Sequence, residues 1–301
     1  MDELLYSMTH RWYVTLFLVS FLVLGYLEQR WKRTLFWTAS GYLITLAAEW
    51  GSINHQFPFG DYKYVESGLS KDLMVFGVPF FDSLSFAFLS YVSFAFAQFL
   101  MSPVRRRGLD VQRVTSRRIR NSLTTLVLAS FLLVVIDWVT DPVSLLGEHT
   151  FLGQIYRYPD PGYHWGITQA NYIGWFFVGI AIIGVNQLFD AYLAKKEVAS
   201  GTVPTQHRLP LQGLFAPLFW AGIVIFQLGM TYWVGWSYDL KHVAVADRPE
   251  FVHDVRNLFF CGLYIVLPIL FLTYVHLTRG DGEPKPEEIA AWERDFPEAP
   301  A

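Results

Sequence analysis

Seven long apolar runs divide the chain, near residues 12–27, 34–50, 73–101, 121–141, 170–194, 213–235 and 257–277. A helix rises about 1.5 Å per residue, so a hydrocarbon core about 30 Å thick takes about 20 apolar residues. The pattern predicts an all-α architecture: a polytopic integral membrane helical bundle of about seven transmembrane helices. The bundle spans residues 1–279. Residues 280–301, GDGEPKPEEIAAWERDFPEAPA, form a charged, Pro-rich tail, expected to be a mobile extension with at most one short helical turn. The first apolar run has no basic stretch before it and no small-residue cleavage site after it, so it reads as a retained span.

The basic residues set the expected orientation. Of the 23 Lys and Arg residues, 16 fall in the first, third and fifth connections and the tail; Arg105, Arg106, Arg107, Arg113, Arg117, Arg118 and Arg120 crowd the third. The positive-inside rule then puts the tail in the cytoplasm and the N-terminus outside, in a bacterial inner membrane. The same rule accounts for the arginine-rich connection near anionic lipid, so no nucleic acid is expected as a partner. Charged residues are only 16% of the chain, where a soluble domain carries about 25%, which supports a bundle in lipid.

Several chemistries are excluded. A lone cysteine, Cys261, permits neither an intrachain disulfide nor a cysteine-based metal site. None of the eight histidines forms an HxxxH or HxxHH cluster on a helix, so no metal is expected. The last apolar run lacks a lysine, which removes a retinal Schiff base. There is no phosphate-binding loop or nucleophile elbow, and no cofactor is expected.

What remains are ionisable groups inside apolar runs, where each is costly. Glu49 ends the second run and Asp82 opens the third. Asp137 and Asp141 end the fourth in IDWVTDP, and Asn171 opens the fifth. All share one membrane depth, beneath the three outward connections 51–72, 142–169 and 236–256. A spacing of four puts Asp137 and Asp141 on one helical face, about 6 Å apart at Cβ. Burial and a like-charged neighbour favour the neutral acid, which can serve as a general acid. The plainer reading is a set of helix ends: Asp141 closing a turn before Pro142, and the others bonding neighbouring helices. Tyr62, Tyr64, Trp138, Trp165 and Trp175 surround the layer. They suit either an interfacial aromatic belt or a pocket for a long isoprenoid whose end group passes through a cation.

The segments EWG (49–51), PFGDYKY (58–64) and GVPFFDSLSF (77–86), followed by DWVTDPVSLLG (137–147) and YRYPDPGYHWGITQANYIGWF (156–176), resemble the signature blocks of the carotenoid biosynthesis membrane-protein family. The resemblance covers roughly residues 40–180. It implies carotenoid hydratases of the bisanhydrobacterioruberin and 1′,2′ types, which add water to the terminal double bond of an acyclic end group. On that implication Asp137 and Asp141 supply the proton, with Glu49 or Asp82 tuning the pair or holding the water. Asn171, Tyr62 and Tyr64 orient groups around them, and Trp138, Trp165 and Trp175 line the end-group pocket. The partners are a carotenoid or other long isoprenoid lipid, membrane lipids, and other carotenoid enzymes. An end-group cyclase or isomerase would use the same acid chemistry, and a non-catalytic carotenoid- or lipid-binding subunit would use only the pocket. A transporter would need a polar path to the other face, for which Asn186, Gln187, Asp190 and Gln227 are the candidates.

The orientation has a direct check. A reporter fused after Ala301 is expected to be active only in the cytoplasm; activity outside overturns the topology.

Overall fold

The computed structural model describes residues 2–145, 154–206, 208–237 and 249–298. Helices dominate: α1 (Asp2–His10), α2 (Trp12–His55), α3 (Glu66–Leu69), α4 (Phe80–Met101), α5 (Arg117–Arg120), α6 (Leu123–Ser144), α7 (Gln169–Ala199), α8 (Gln212–Tyr232), α9 (Pro249–Thr278) and α10 (Pro286–Asp295). Three two-stranded antiparallel ladders lie in the connections. They pair β1 (Lys63–Tyr64) with β6 (Tyr156–Arg157), β2 (Met74–Val75) with β3 (Val78–Pro79), and β4 (Val104–Arg107) with β5 (Asp110–Arg113). Among the described residues six helices are long and apolar enough to cross a membrane, and the chain is an integral membrane protein. Most of the 236–256 connection, with His149, His207 and His242, lies outside the described residues.

The first two apolar runs share α2. Its backbone leaves helical geometry at Arg30, at φ 64° and ψ 170°. The chain folds back there, because its two halves reach the same levels of α4. Phe21 and Trp37 both pack on Tyr91, with ring centroids 5.1 and 5.2 Å away. Arg11 lies 4.2 Å over Phe81, while Glu49 and Asp82 share a bond from Tyr64. The halves, residues 12–29 and 31–55, are α2a and α2b below. Close packing of α2b on α4 needs Gly41, whose Cβ would stand 3.0 Å from the Ala87 backbone.

The basic connections form a folded polar layer at this end of the bundle. Glu28 accepts from the Tyr91 hydroxyl at 2.8 Å and pairs with Arg113 at 3.1 Å. Arg33 forks onto Glu197 with two bonds of 2.8 Å and also reaches Asp190. Asp190 gathers Arg117, Arg120 and the Asn121 amide as well. Gln187 donates to the Arg120 and Ser122 carbonyls. Lipid supplies no hydrogen bonds, so these groups have to satisfy one another. Asp190 and Gln187 are therefore structural ties here and not the walls of a polar path.

The tail differs from the expected mobile extension. As α10 it packs on this layer through Trp292 and Phe296, both buried. Arg208 stacks 3.6 Å over the Trp292 ring, and Asp295 accepts from the Arg117 amide at 2.9 Å. Two aromatic anchors at i and i+4 were hidden within a charged, Pro-rich composition.

At the opposite end, Ser7 of α1 and Arg11, between α1 and α2, each bond Asp72 at 3.0 Å. There β1 and β6 join the first and second long connections in the register Lys63↔Arg157, Tyr64↔Tyr156. Asp190→Ala should strip three arginines of a buried counter-charge, at a cost of about 3–5 kcal/mol. A marked fall in thermal unfolding temperature in detergent is expected; an unchanged temperature would count against the role given to this layer.

Candidate functional site

The β1–β6 ladder sets Tyr64 and Tyr156 side by side above the ends of four helices. Beneath them lie Glu49 from the last turns of α2b and Asp82 from the first turn of α4. Asp137 and Asp141 come from the end of α6, and Asn171 from the start of α7; Asp82 is half-buried and the other four are buried. The connection carrying Tyr62 can descend this far because residue 174 of α7 is glycine. A Cβ there would stand 2.7 Å from the Phe59 ring and 2.8 Å from the Pro58 carbonyl oxygen. Ser52 Oγ accepts from the Phe59 amide at 2.9 Å and pins the same turn.

The carboxylates are bridged in two pairs. The Asn171 amide donates to Asp137 at 2.9 Å and to Asp141 at 2.8 Å, spending both its hydrogens. The Tyr64 hydroxyl lies 2.8 Å from Asp82 and 3.2 Å from Glu49. A phenol carries one hydrogen, so donation to Asp82 leaves the Glu49 contact satisfied only when Glu49 itself holds a proton and donates it. Tyr62 meets the Tyr64 oxygen at 3.4 Å. Burial first, and then the charges of Asp82 and Glu49, push the Tyr64 phenol well above its ordinary range. Burial and the nearby Asp141 do the same to Tyr156. Both stay protonated; Tyr64 acts as a donor, while the Tyr156 hydroxyl is buried without a hydrogen-bond partner among the described residues.

Two cavities meet at this layer. A chamber of about 30 Å³ is lined by Glu49, Tyr62, Asp82, Asp141, Tyr156 and Asn171, among others. A water needs about 10–15 Å³, so the chamber has room for about two. A larger groove of about 110 Å³ runs from it into the bundle between α2a, α4, α6 and α8. Its walls are mostly apolar, built from Phe17, Phe88, Leu89, Ile136 and Ile223 among others. Thr140 and Gln227 also line it, and Thr140 Oγ1 and Gln227 Oε1 are buried without a hydrogen-bond partner among the described residues. Asp82, Asp141, Tyr156 and Trp175 face both cavities.

The residues singled out from sequence are thus divided. Glu49, Asp82, Asp141, Tyr62, Tyr64, Asn171 and Trp175 come together. Asp137 is fully buried behind Asp141 and lines neither cavity. Trp138 and Trp165 do not reach the groove. Trp138 follows Asp137 by one residue, about 100° around the helix, and stacks 3.9 Å from His164. Trp165 donates to the Asp254 carbonyl at 2.9 Å. Gln227, a candidate for a path to the far face, lies instead in the groove below the carboxylates. Arg11, Tyr13, Thr140 and Tyr156 are further lining residues that sequence reasoning did not select. Only Tyr156, within YRYPDPGY, carried a motif signal. No group of three or more His, Cys, Asp or Glu side chains among the described residues is arranged to hold a metal ion.

The family model described as carotenoid biosynthesis protein matches residues 10–239. No curated protein and no solved structure matches the chain significantly.

His164 reports on the connection that covers the site. Its ring bonds the Tyr172 hydroxyl, and burial lowers its pKa from 6.5 to about 4. Between those values the unfolded chain binds more protons than the folded one. This group therefore costs stability as pH falls from about 6.5 to about 4, and nothing above that window. His164→Gln should show a shallower loss of unfolding temperature over that window than the parent. Equal slopes would place the titration elsewhere.

Proposed function

The chain belongs to the carotenoid biosynthesis protein family, and from that premise we propose that it hydrates the terminal double bond of an acyclic carotenoid end group. The observation that carries this reading is the junction of the two cavities. A carboxylate layer stands at the head of an apolar groove, beside a chamber sized for water.

The chemistry follows from which groups face the junction. The end group enters the groove with its terminal isopropylidene carbons under Asp141. A proton passes from the Asp141 carboxyl to the CH carbon, and the π electrons form the new C–H bond. The neighbouring dimethyl carbon becomes a tertiary cation. Trp175, which faces both cavities and packs 4.0 Å from Phe86, offers a ring face to that charge. A water in the chamber forms the C–O bond and gives up a proton to Asp82, which Tyr64 orients. Return of that proton to Asp141 through the chamber restores the acid, so the net change is the addition of one water. Asn171 and Asp137 act as positioning residues that hold Asp141 in place. The chamber favours hydration over cyclisation or isomerisation, since neither of those consumes water.

In this reading the carboxylate end faces outward and the arginine-rich end faces the cytoplasm of a bacterial inner membrane. The distribution of basic residues supports that placement.

Expression in a bacterium that accumulates lycopene or a related acyclic carotenoid is expected to yield a pigment heavier by one water, carrying a tertiary alcohol. Loss of a general acid is worth about 10²–10⁴ in rate. Asp141→Asn should lose that much, and Asp137→Asn less. Chromatography with mass spectrometry measures both. Pigment that co-purifies unchanged with an inserted protein would overturn hydration in favour of a binding subunit.

A further inference from the structure

The groove is too short for the ligand it serves. It runs beside Phe81 to Leu89 of α4, a rise of about 12 Å along the helix. That depth encloses a terminal isoprenoid unit or two and leaves the conjugated chain of a carotenoid outside. Above, the β1–β6 ladder and Tyr156 cover the carboxylates. The remainder of the chain has to leave sideways.

One seam in the groove wall suits that exit. α8 packs closely on α4, α6 and α9, whereas its backbone approaches α2a far less. Aromatic rings span the interval, and the exposed Trp12 meets Phe226 at 6.4 Å on its outer side. Phe17 meets Phe219 at 5.9 Å and Phe226 at 6.2 Å, and Tyr13 stacks on Phe226 at 6.1 Å. Positions on α8 follow one another around the helix at about 100° per residue. From the groove residues Ile223 and Gln227 the surface passes to Phe219 and Phe226, then to Gly222 and Gly229, then to the exposed Leu218 and Ile225. A Cβ at Gly222 or Gly229 would meet nothing within 4 Å. A shallow trough therefore lies just outside the rings, on the lipid side. Just inside them, buried Gln227 turns an unpartnered Oε1 into the groove.

We propose that the seam between α2a and α8 is a lateral portal through which a long polyene inserts its end group from the lipid, its conjugated chain lying along the Gly222–Gly229 trough. Tyr13, Phe17, Phe219 and Phe226 form the gate, and a flat, slender chain passes between ring faces where a branched or bulky lipid does not. The identity of the occupant rests on the carotenoid reading. The path itself rests on the shape of the wall.

The test fills the trough without touching packed atoms. Gly222→Ala, Gly222→Leu and Gly222→Trp would be reconstituted in vesicles. Gly184→Trp is the control, on α7 and equally open at Cβ. Uptake of a fluorescent conjugated tetraene fatty acid would be followed through its own emission by stopped flow. Association should slow in the order Gly, Ala, Leu, Trp, by about tenfold or more at Trp, with dissociation slowing alongside it as a gate requires. Gly184→Trp should match the parent, and the unfolding temperatures should agree. Uptake by Gly222→Trp at the parental rate, equal slowing in Gly184→Trp, or no uptake by the parent would each overturn the portal. Rapid, Gly222-dependent uptake by a parent that yields no hydrated carotenoid would instead overturn hydration and leave the portal standing.

Discussion

Asp190 is the point on which the bundle turns. One buried carboxylate draws in guanidinium groups from the fold-back of α2 and from the third connection, together with the Asn121 amide. In water such a cluster would contribute little. In a membrane the alternative is a charge in hydrocarbon, so the groups hold one another and the helices that carry them. The reversal at Arg30 depends on this, because Glu28, Gln29 and Arg33 on either side of it are all tied into the same layer.

The two ends of the bundle have opposite electrostatic character. At the arginine-rich end acids and bases are matched, and α10 seals them beneath Trp292. At the other end four carboxylates share a layer in which the nearest guanidinium, Arg11, is committed to Asp72. Such a layer has to share protons. A site that handles protons gains from this arrangement, and the matched end supplies the rigidity that keeps the unmatched end in place.

The connections at the carboxylate end form its roof. A ladder of only two residues on each side, Lys63–Tyr64 with Tyr156–Arg157, joins residues 92 and 94 positions apart in the chain. It delivers two phenols to the same layer. With the roof closed, the loosely bridged side of the bundle is the route proposed for a lipid-soluble substrate.

Class and family were legible in the sequence alone. Apolar runs of spanning length dictate a helical membrane bundle, because only helices and closed barrels satisfy the backbone in lipid. Carboxylates at the ends of apolar runs stand out, because nothing else in such a run carries charge. The motifs from Glu49 to Trp175 placed the family. Tertiary structure decided the rest. Asp137 and Asp141 are equivalent in sequence, and only the packing of α7 against α6 turns one toward the groove and leaves the other behind it. Trp138 and Trp175 both sit beside site residues, but helical phase sends one to His164 and the other to the cavity. Thr140 goes unremarked in the sequence and Gln227 reads as part of a path to the far face, until α6 and α8 set them in one groove. The arginines read as plain loop charges until their partners, more than 60 residues distant, came within reach. Local pattern records what a residue avoids. Which neighbour it meets is set by helices that the chain brings together only when the whole bundle closes.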